Sequence, residues 1–127
     1  MTFAIDTAAP EPPFEQLRAQ VVAGALDGSL PAGTKLPTVR ALADELGLAP
    51  NTVARAYREL ETAGVIETRG RRGSFVALSP DAAERTLQKA AAEYAARARS
   101  LGVDTTRART YIAVSYTHLT LPTILRV

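Results

Sequence analysis

The chain has 127 residues, of which 46% are hydrophobic and 22% charged, with a mean hydropathy near zero. Those values fit one ordinary domain, or one small domain with a short appendage, and argue for a globular chain that is neither disordered nor membranous. The chain has no cysteine, no tryptophan and a single histidine, His118, which excludes thiolate zinc sites, thiol catalysis and disulfide frameworks and favours a binder over a catalyst.

Fifteen basic residues stand against 13 acidic ones, a net charge of +2 that decides nothing until the charges are placed. Thirteen of the bases are arginine, and only Lys35 and Lys89 are lysine. Arginine's planar fork suits phosphate and guanine, but a GC-rich coding sequence gives the same bias and would also explain the 24 alanines. No run reaches the ~18 apolar residues of a membrane span. The opening Met1-Thr2-Phe3-Ala4-Ile5-Asp6 has no basic flank and no apolar stretch after it, so a secretory signal is not expected and cytoplasm is.

Phe3 and Ile5 are expected in a short strand, ahead of a proline-rich lead-in over 7–13. Phe14, Leu17, Val21 and Ala25, with Val22 and Leu26, keep the helical period of about 3.6 residues and predict a helix over 13–27, closed by Gly28. The turn-formers of 30–37 read as an ordered connection. Thr38 is placed to cap a second helix over 39–46, with Val39, Leu42, Ala43 and Leu46 inward. Gly47-Leu48-Ala49 makes a tight corner, and Pro50 suits the first turn of a third helix to about residue 63. Two short helices joined by a glycine-containing turn are the helix-turn-helix pattern.

The third helix has two faces: an apolar stripe of Val53, Ala56, Tyr57 and Leu60, and a polar stripe of Asn51, Arg55, Arg58 and Thr62. Beyond Gly64, residues 65–69 and 74–78 have strand composition, and Gly70-Arg71-Arg72-Gly73 between them reads as a hairpin turn with two arginines at its tip. The expected fold is mainly α with a small β-hairpin wing: a winged helix-turn-helix over 1–78, then a helical dimerisation segment over 79–113.

In that segment Ser79-Pro80-Asp81 supplies a cap, a first-turn proline and an acid for a helix to about residue 101. Its narrow apolar stripe runs through Ala83, Leu87, Ala90, Tyr94, Ala98 and Leu101, with Ala91 beside it. One helix cannot bury such a stripe alone, so Leu87, Ala91, Tyr94, Ala98 and Leu101 are expected against a partner chain or against the domain before it. Asp104 is placed to cap a further short helix ending near Ile112. Residues 114–127 carry no alanine and no acid, whereas the first 113 carry all of both. That run resembles tails produced by translating a sequencing-library adapter; it is read as a non-native segment with no assigned function.

A helix in the major groove reads base edges from near its N-terminus while flanking elements hold phosphates. Asn51 and Arg55 carry the chemistry for adenine and guanine, and Thr52 and Arg58 flank them as phosphate contacts. Arg40 at the start of the second helix lies beside the backbone, and Arg71, Arg72 and Gly73 belong to a wing that reaches the adjacent groove. The competing readings are local: Arg55 and Arg58 paired with Glu59, Glu61 or Thr62, Arg40 paired with Asp44, and Arg71 and Arg72 forming a merely solvated tip. Residues 1–79 hold eight bases and nine acids, so any basicity is local rather than spread over the domain.

The runs Pro13-Phe14-Glu15-Gln16-Leu17, Pro31-Ala32-Gly33-Thr34-Lys35-Leu36-Pro37-Thr38-Val39-Arg40, Pro50-Asn51-Thr52-Val53-Ala54-Arg55-Ala56-Tyr57 and Gly70-Arg71-Arg72-Gly73-Ser74-Phe75-Val76 resemble the GntR family of bacterial transcription regulators. About 35 residues between wing and tail are too few for a large ligand-binding or aminotransferase-like domain, and the chain is similar to the YtrA-type subfamily. The resemblance implies a homodimer on an inverted-repeat operator in double-stranded DNA, repressing its own operon, often one for an ABC transporter. It also implies DNA contacts from Arg40, Asn51, Thr52, Arg55, Arg71, Arg72 and Gly73. Ala49 departs from the serine or asparagine cap of many members, and the second C-terminal helix is shorter than theirs. No cofactor, metal or membrane partner is expected; so short a C-terminal part offers little pocket, and a small-molecule effector is left open.

Overall fold

A computed structural model describes residues 2–120, with side chains to residue 117. It divides into two units, one ending at Ala83 and the other beginning at Glu84. The division falls inside a helix, a few residues beyond the expected boundary at 78.

Helix α1 (Pro13–Asp27) starts on its own proline and buries Leu17, Val21, Gly24 and Ala25. The expected strand ahead of it does not form. Residues 3–6 are extended but pair with side chains. Gln20 accepts from the Ala4 N–H at 3.0 Å and donates to the Ala4 carbonyl at 2.6 Å. Gln16 does the same for Asp6, at 2.8 and 2.9 Å. Each amide gives one backbone residue an N–H donor and an oxygen acceptor, as a neighbouring strand would, so two glutamines four residues apart on a helix take the place of a strand edge. The second N–H of Gln16 donates to the Glu11 carbonyl at 2.8 Å. The clasp lays Phe3 into the core.

Helix α2 (Val39–Leu46) is capped by Thr38, whose Oγ1 accepts from the Ala41 N–H at 3.1 Å. Gly47 has φ 68°, a left-handed value that glycine adopts without penalty, and turns the chain into α3 (Pro50–Thr62). Leu42 and Ala43 of α2, Val53, Ala56 and Leu60 of α3, and Leu17 and Val21 of α1 meet in one fully buried core. Tyr57 reaches past it to donate its hydroxyl to the Pro37 carbonyl at 2.7 Å, tying α3 to the approach of α2.

The wing pairs β1 (Ile66–Thr68) antiparallel with β2 (Ser74–Val76), Ile66 opposite Val76 and Glu67 opposite Phe75. Both strands are shorter than the sequence predicts. The Val65 N–H closes α3 by donating to the Leu60 carbonyl, and the Val65 carbonyl receives Ala77 and Leu78 together, so the ladder stops there. The turn Gly70–Arg72 is a single 3-10 turn. Residues 33–36 lie along the other edge of β2: Gly33 donates to Val76, Val76 to Thr34 and Leu36 to Ser74, at 2.7–2.9 Å, with Lys35 opposite Phe75.

Helix α4 (Pro80–Ser100) begins on Ser79, whose Oγ accepts from the Ala82 N–H at 3.1 Å. Helix α5 (Thr105–Thr120) begins on Asp104, which accepts from the Arg107 N–H at 2.8 Å. In contrast to the expected end near Ile112, α5 runs into the segment read as foreign. No proline or glycine interrupts it before Pro122, so nothing in the local chemistry stops the helix at the composition break. Residues 121–127 of that tail lie outside the described residues. Among the described residues no helix is long and apolar enough to cross a membrane.

Candidate nucleic-acid interface

All eight side chains and backbone positions expected at DNA lie in the first unit. Packing fixes where α3 points. Val53, Ala56 and Leu60 are buried against α1 and α2, so Asn51, Arg58 and Thr62 are left on the opposite face, exposed. Thr52 is half-buried at the flank. Arg40 is exposed at the second position of α2, and Arg71 and Arg72 are exposed in the wing turn, followed by Gly73. Residue 49 has the extended backbone of a cap but its alanine side chain accepts nothing. The first turn of α3 carries no acid; Pro50 has no N–H to satisfy, and the Thr52 N–H donates to the Ala49 carbonyl at 3.0 Å.

Ion pairing sorts the cations of this unit into two sets. Arg18 is bonded to Glu15 on α1, Arg55 to Glu59 at 3.2 Å, and Arg69 to Glu67 at 2.5–2.7 Å. Arg55 also stacks on Phe14, 3.7 Å from the ring centroid, and Arg69 stacks on Phe75 at 4.4 Å. The bond from Arg18 holds the Glu15 carboxyl below its ordinary range and raises the guanidinium in turn, with burial opposing both. Lys35, Arg40, Arg58, Arg71 and Arg72 form no ion pair among the described residues. Of the competing local pairs, Arg55–Glu59 forms; Arg40–Asp44 and Arg58–Glu61 do not.

Gly73 has φ 106° and ψ −160°, a conformation in which any side chain is strained. A Cβ there would also sit 3.1 Å from Cε of Lys35. Sequence reasoning missed this lysine, along with the Gln16/Gln20 clasp and the docking of Arg55 on Phe14. Each joins residues on different elements, and only the glutamines, four apart beside an extended lead-in, left any signal.

In the second unit, the sidedness expected of α4 is only partly used within the chain. Tyr94 and Ala98 are half-buried at the corner with α5, where the Tyr94 hydroxyl donates to the Ala108 carbonyl at 2.7 Å. Leu87 and Leu101 stay 66% and 72% exposed, Ala91 is exposed, and on α5 so are Tyr111, Ile112, Val114 and Tyr116. An open hollow of about 480 Å³ beside Tyr94 is lined by Ala91, Ala98, Val103, Ala108 and Ile112 among others.

Residues 13–76, which hold all three core helices and the wing, match the family model described as bacterial regulatory proteins, gntR family. The chain belongs to the GntR family. This GntR-family chain is 51% identical over 108 residues to the HTH-type transcriptional regulator Rv1152 of Mycobacterium tuberculosis, covering 85% of this chain and 88% of that one. It is 43% identical over 72 residues to the HTH-type transcriptional repressor YtrA of Bacillus subtilis, covering 57% and 55%. Among solved structures, YtrA from Sulfolobus acidocaldarius superimposes with a TM-score of 0.57 at 29% identity, covering 71% of this chain and 97% of that one. The GntR-family chain is thus a transcriptional regulator with a winged-helix DNA-binding domain, rather than an enzyme.

Proposed function

We propose that the chain is a dimeric repressor that occludes a promoter in the cytoplasm by binding an inverted-repeat operator upstream of its own operon, of the kind that encodes an ABC transporter. One observation carries the reading. Five cations of the first unit, Lys35, Arg40, Arg58, Arg71 and Arg72, lack a carboxylate partner among the described residues and lie on or beside the helix-turn-helix and wing, whereas Arg18 on α1, Arg55 on α3 and Arg69 at the wing are paired. An unpaired exposed arginine gains most from a phosphate, because it gives up no existing partner.

In this reading α3 enters the major groove. Asn51 and Arg55 meet base edges, and Thr52, Arg58 and Arg40 meet the backbone. Arg71, Arg72 and the close-approaching backbone at Gly73 serve the adjacent groove. Leu87, Ala91, Tyr94, Ala98 and Leu101 form the seam with a second copy, supported by the exposed leucines of α4. The name of the Bacillus subtilis relative supports repression.

The test is a fluorescence-anisotropy titration of the DNA upstream of the chain's own coding sequence, beside a scrambled duplex, at two salt concentrations. Tight, salt-sensitive binding that prefers the native sequence supports the reading. Folded protein, dimeric by sedimentation, that binds neither duplex overturns it in favour of a winged helix used for protein contacts.

A further inference from the structure

Lys35 lies outside the helix-turn-helix and outside the hairpin, yet the fold carries it to the wing. Residues 33–36 pair with the free edge of β2, which puts Lys35 directly opposite Phe75. Across the three segments Glu67, Phe75 and Lys35 share one face of the sheet. From there the lysine stem runs over Gly73: a Cβ at that glycine would lie 3.1 Å from Cε and 4.0 Å from Nζ. The ammonium is thereby held at the end of the turn that carries Arg71 and Arg72.

The electrostatics of the same face leave it available. Glu67, the acid nearest along the register, is occupied by Arg69, whose guanidinium is also stacked on Phe75. Lys35 itself is exposed and forms no ion pair among the described residues. A lysine whose stem runs over a glycine and whose tip is open is suited to act as a point charge for a phosphate.

Resting on the DNA-binding reading above, we propose that Lys35 is a further contact to the DNA backbone at the root of the wing, alongside Arg71 and Arg72. It neutralises one phosphate per protomer and carries no sequence information. Gly73 then has two roles: its backbone makes the turn, and its missing side chain gives Lys35 its path.

The test compares wild type, Lys35→Gln, Lys35→Arg and Lys89→Gln by anisotropy titration, across a fourfold range of salt, against the upstream duplex and a scrambled one. One phosphate contact contributes about 0.9 to the slope of log affinity against log salt, or a roughly 3.5-fold change in affinity over that range. Lys35→Gln is expected to lose that increment per protomer on both duplexes alike, Lys35→Arg to keep it, and Lys89→Gln, which removes the same charge from α4, to leave the slope unchanged. Thermal melts of all four proteins check that each is folded. An unaltered slope for Lys35→Gln, or an equal loss for Lys89→Gln, overturns the proposal while leaving the DNA-binding reading intact. Wild type that binds no duplex overturns both.

Discussion

The guanidinium of Arg55 lies 3.7 Å from the centroid of the Phe14 ring while its Nε donates to Glu59 at 3.2 Å, so a residue of the polar stripe of α3 is docked on α1. An exposed contact of this kind contributes about 0.5–1 kcal/mol. Phe14→Leu and Arg55→Ala are each expected to lower unfolding stability by about that amount beyond their loss of packing. The double variant is expected to cost less than the two singles summed. Urea titrations of the four proteins measure the coupling; strict additivity would mean that the stacking contributes nothing.

The same docking bears on DNA. To meet a base, Arg55 must leave Phe14 and Glu59, so its release is part of the cost of binding. Phe14→Leu is expected to tighten operator binding by about two- to fivefold, the docking energy above expressed as affinity, with no effect on a scrambled duplex. Arg55→Ala is expected to cost ~1–3 kcal/mol on the operator and to relax base choice, whereas Arg72→Ala weakens all sequences alike. Equal losses for Arg55→Ala on both duplexes would instead make Arg55 a residue that positions α3.

At the wing, Gly73→Ala meets both a backbone with φ 106° and the stem of Lys35. The expected cost is about 1–3 kcal/mol, concentrated in the hairpin. Hydrogen exchange at β1 and β2 should rise while the protection of α1 and α3 persists.

Tyr57 is buried and donates to Pro37, and burial pushes its phenol up to about 12. In the unfolded chain the phenol ionises near its ordinary value of about 10, while the folded chain keeps its proton. This contribution to stability is therefore whole below about pH 10 and is lost as pH rises through the folded value. Denaturant midpoints for wild type should fall across that window; those for Tyr57→Phe should fall less, from a starting point lower by about 1 kcal/mol for the unpaired Pro37 carbonyl.

Ala49 already has the extended backbone of a cap but accepts no hydrogen bond, whereas Thr38 at the head of α2 does. Ala49→Ser is expected to stabilise the fold by about 0.5–1 kcal/mol and Thr38→Ala to destabilise it by about 1 kcal/mol. Thermal melts measure both, and a serine at 49 that lowers the midpoint would show the start of α3 to be sterically closed.

The sequence by itself determined the local elements: the three helices, the first and third with proline starts and the second with a threonine cap, the corner at Gly47 and the arginine-tipped hairpin. These depend on interactions within a few residues, which spacing and residue type express directly. It also determined the family, through motifs in the right order. Tertiary structure alone decided what those elements do to one another. Phe3 and Ile5 read as a strand, but the backbone of that segment, at Ala4 and Asp6, pairs with two glutamine side chains on α1. Arg55 reads as a groove-facing residue, but Phe14 lies 41 positions earlier in the chain (55 − 14) and no pattern in sequence links them. Lys35 reads as part of a connecting loop, yet hydrogen bonds to Ser74 and Val76 make that loop an edge of the wing. The physical reason is common to all three. Backbone form follows from local sterics and capping, whereas the partner of an exposed amide, ring or charge is chosen by whichever distant segment the core brings beside it.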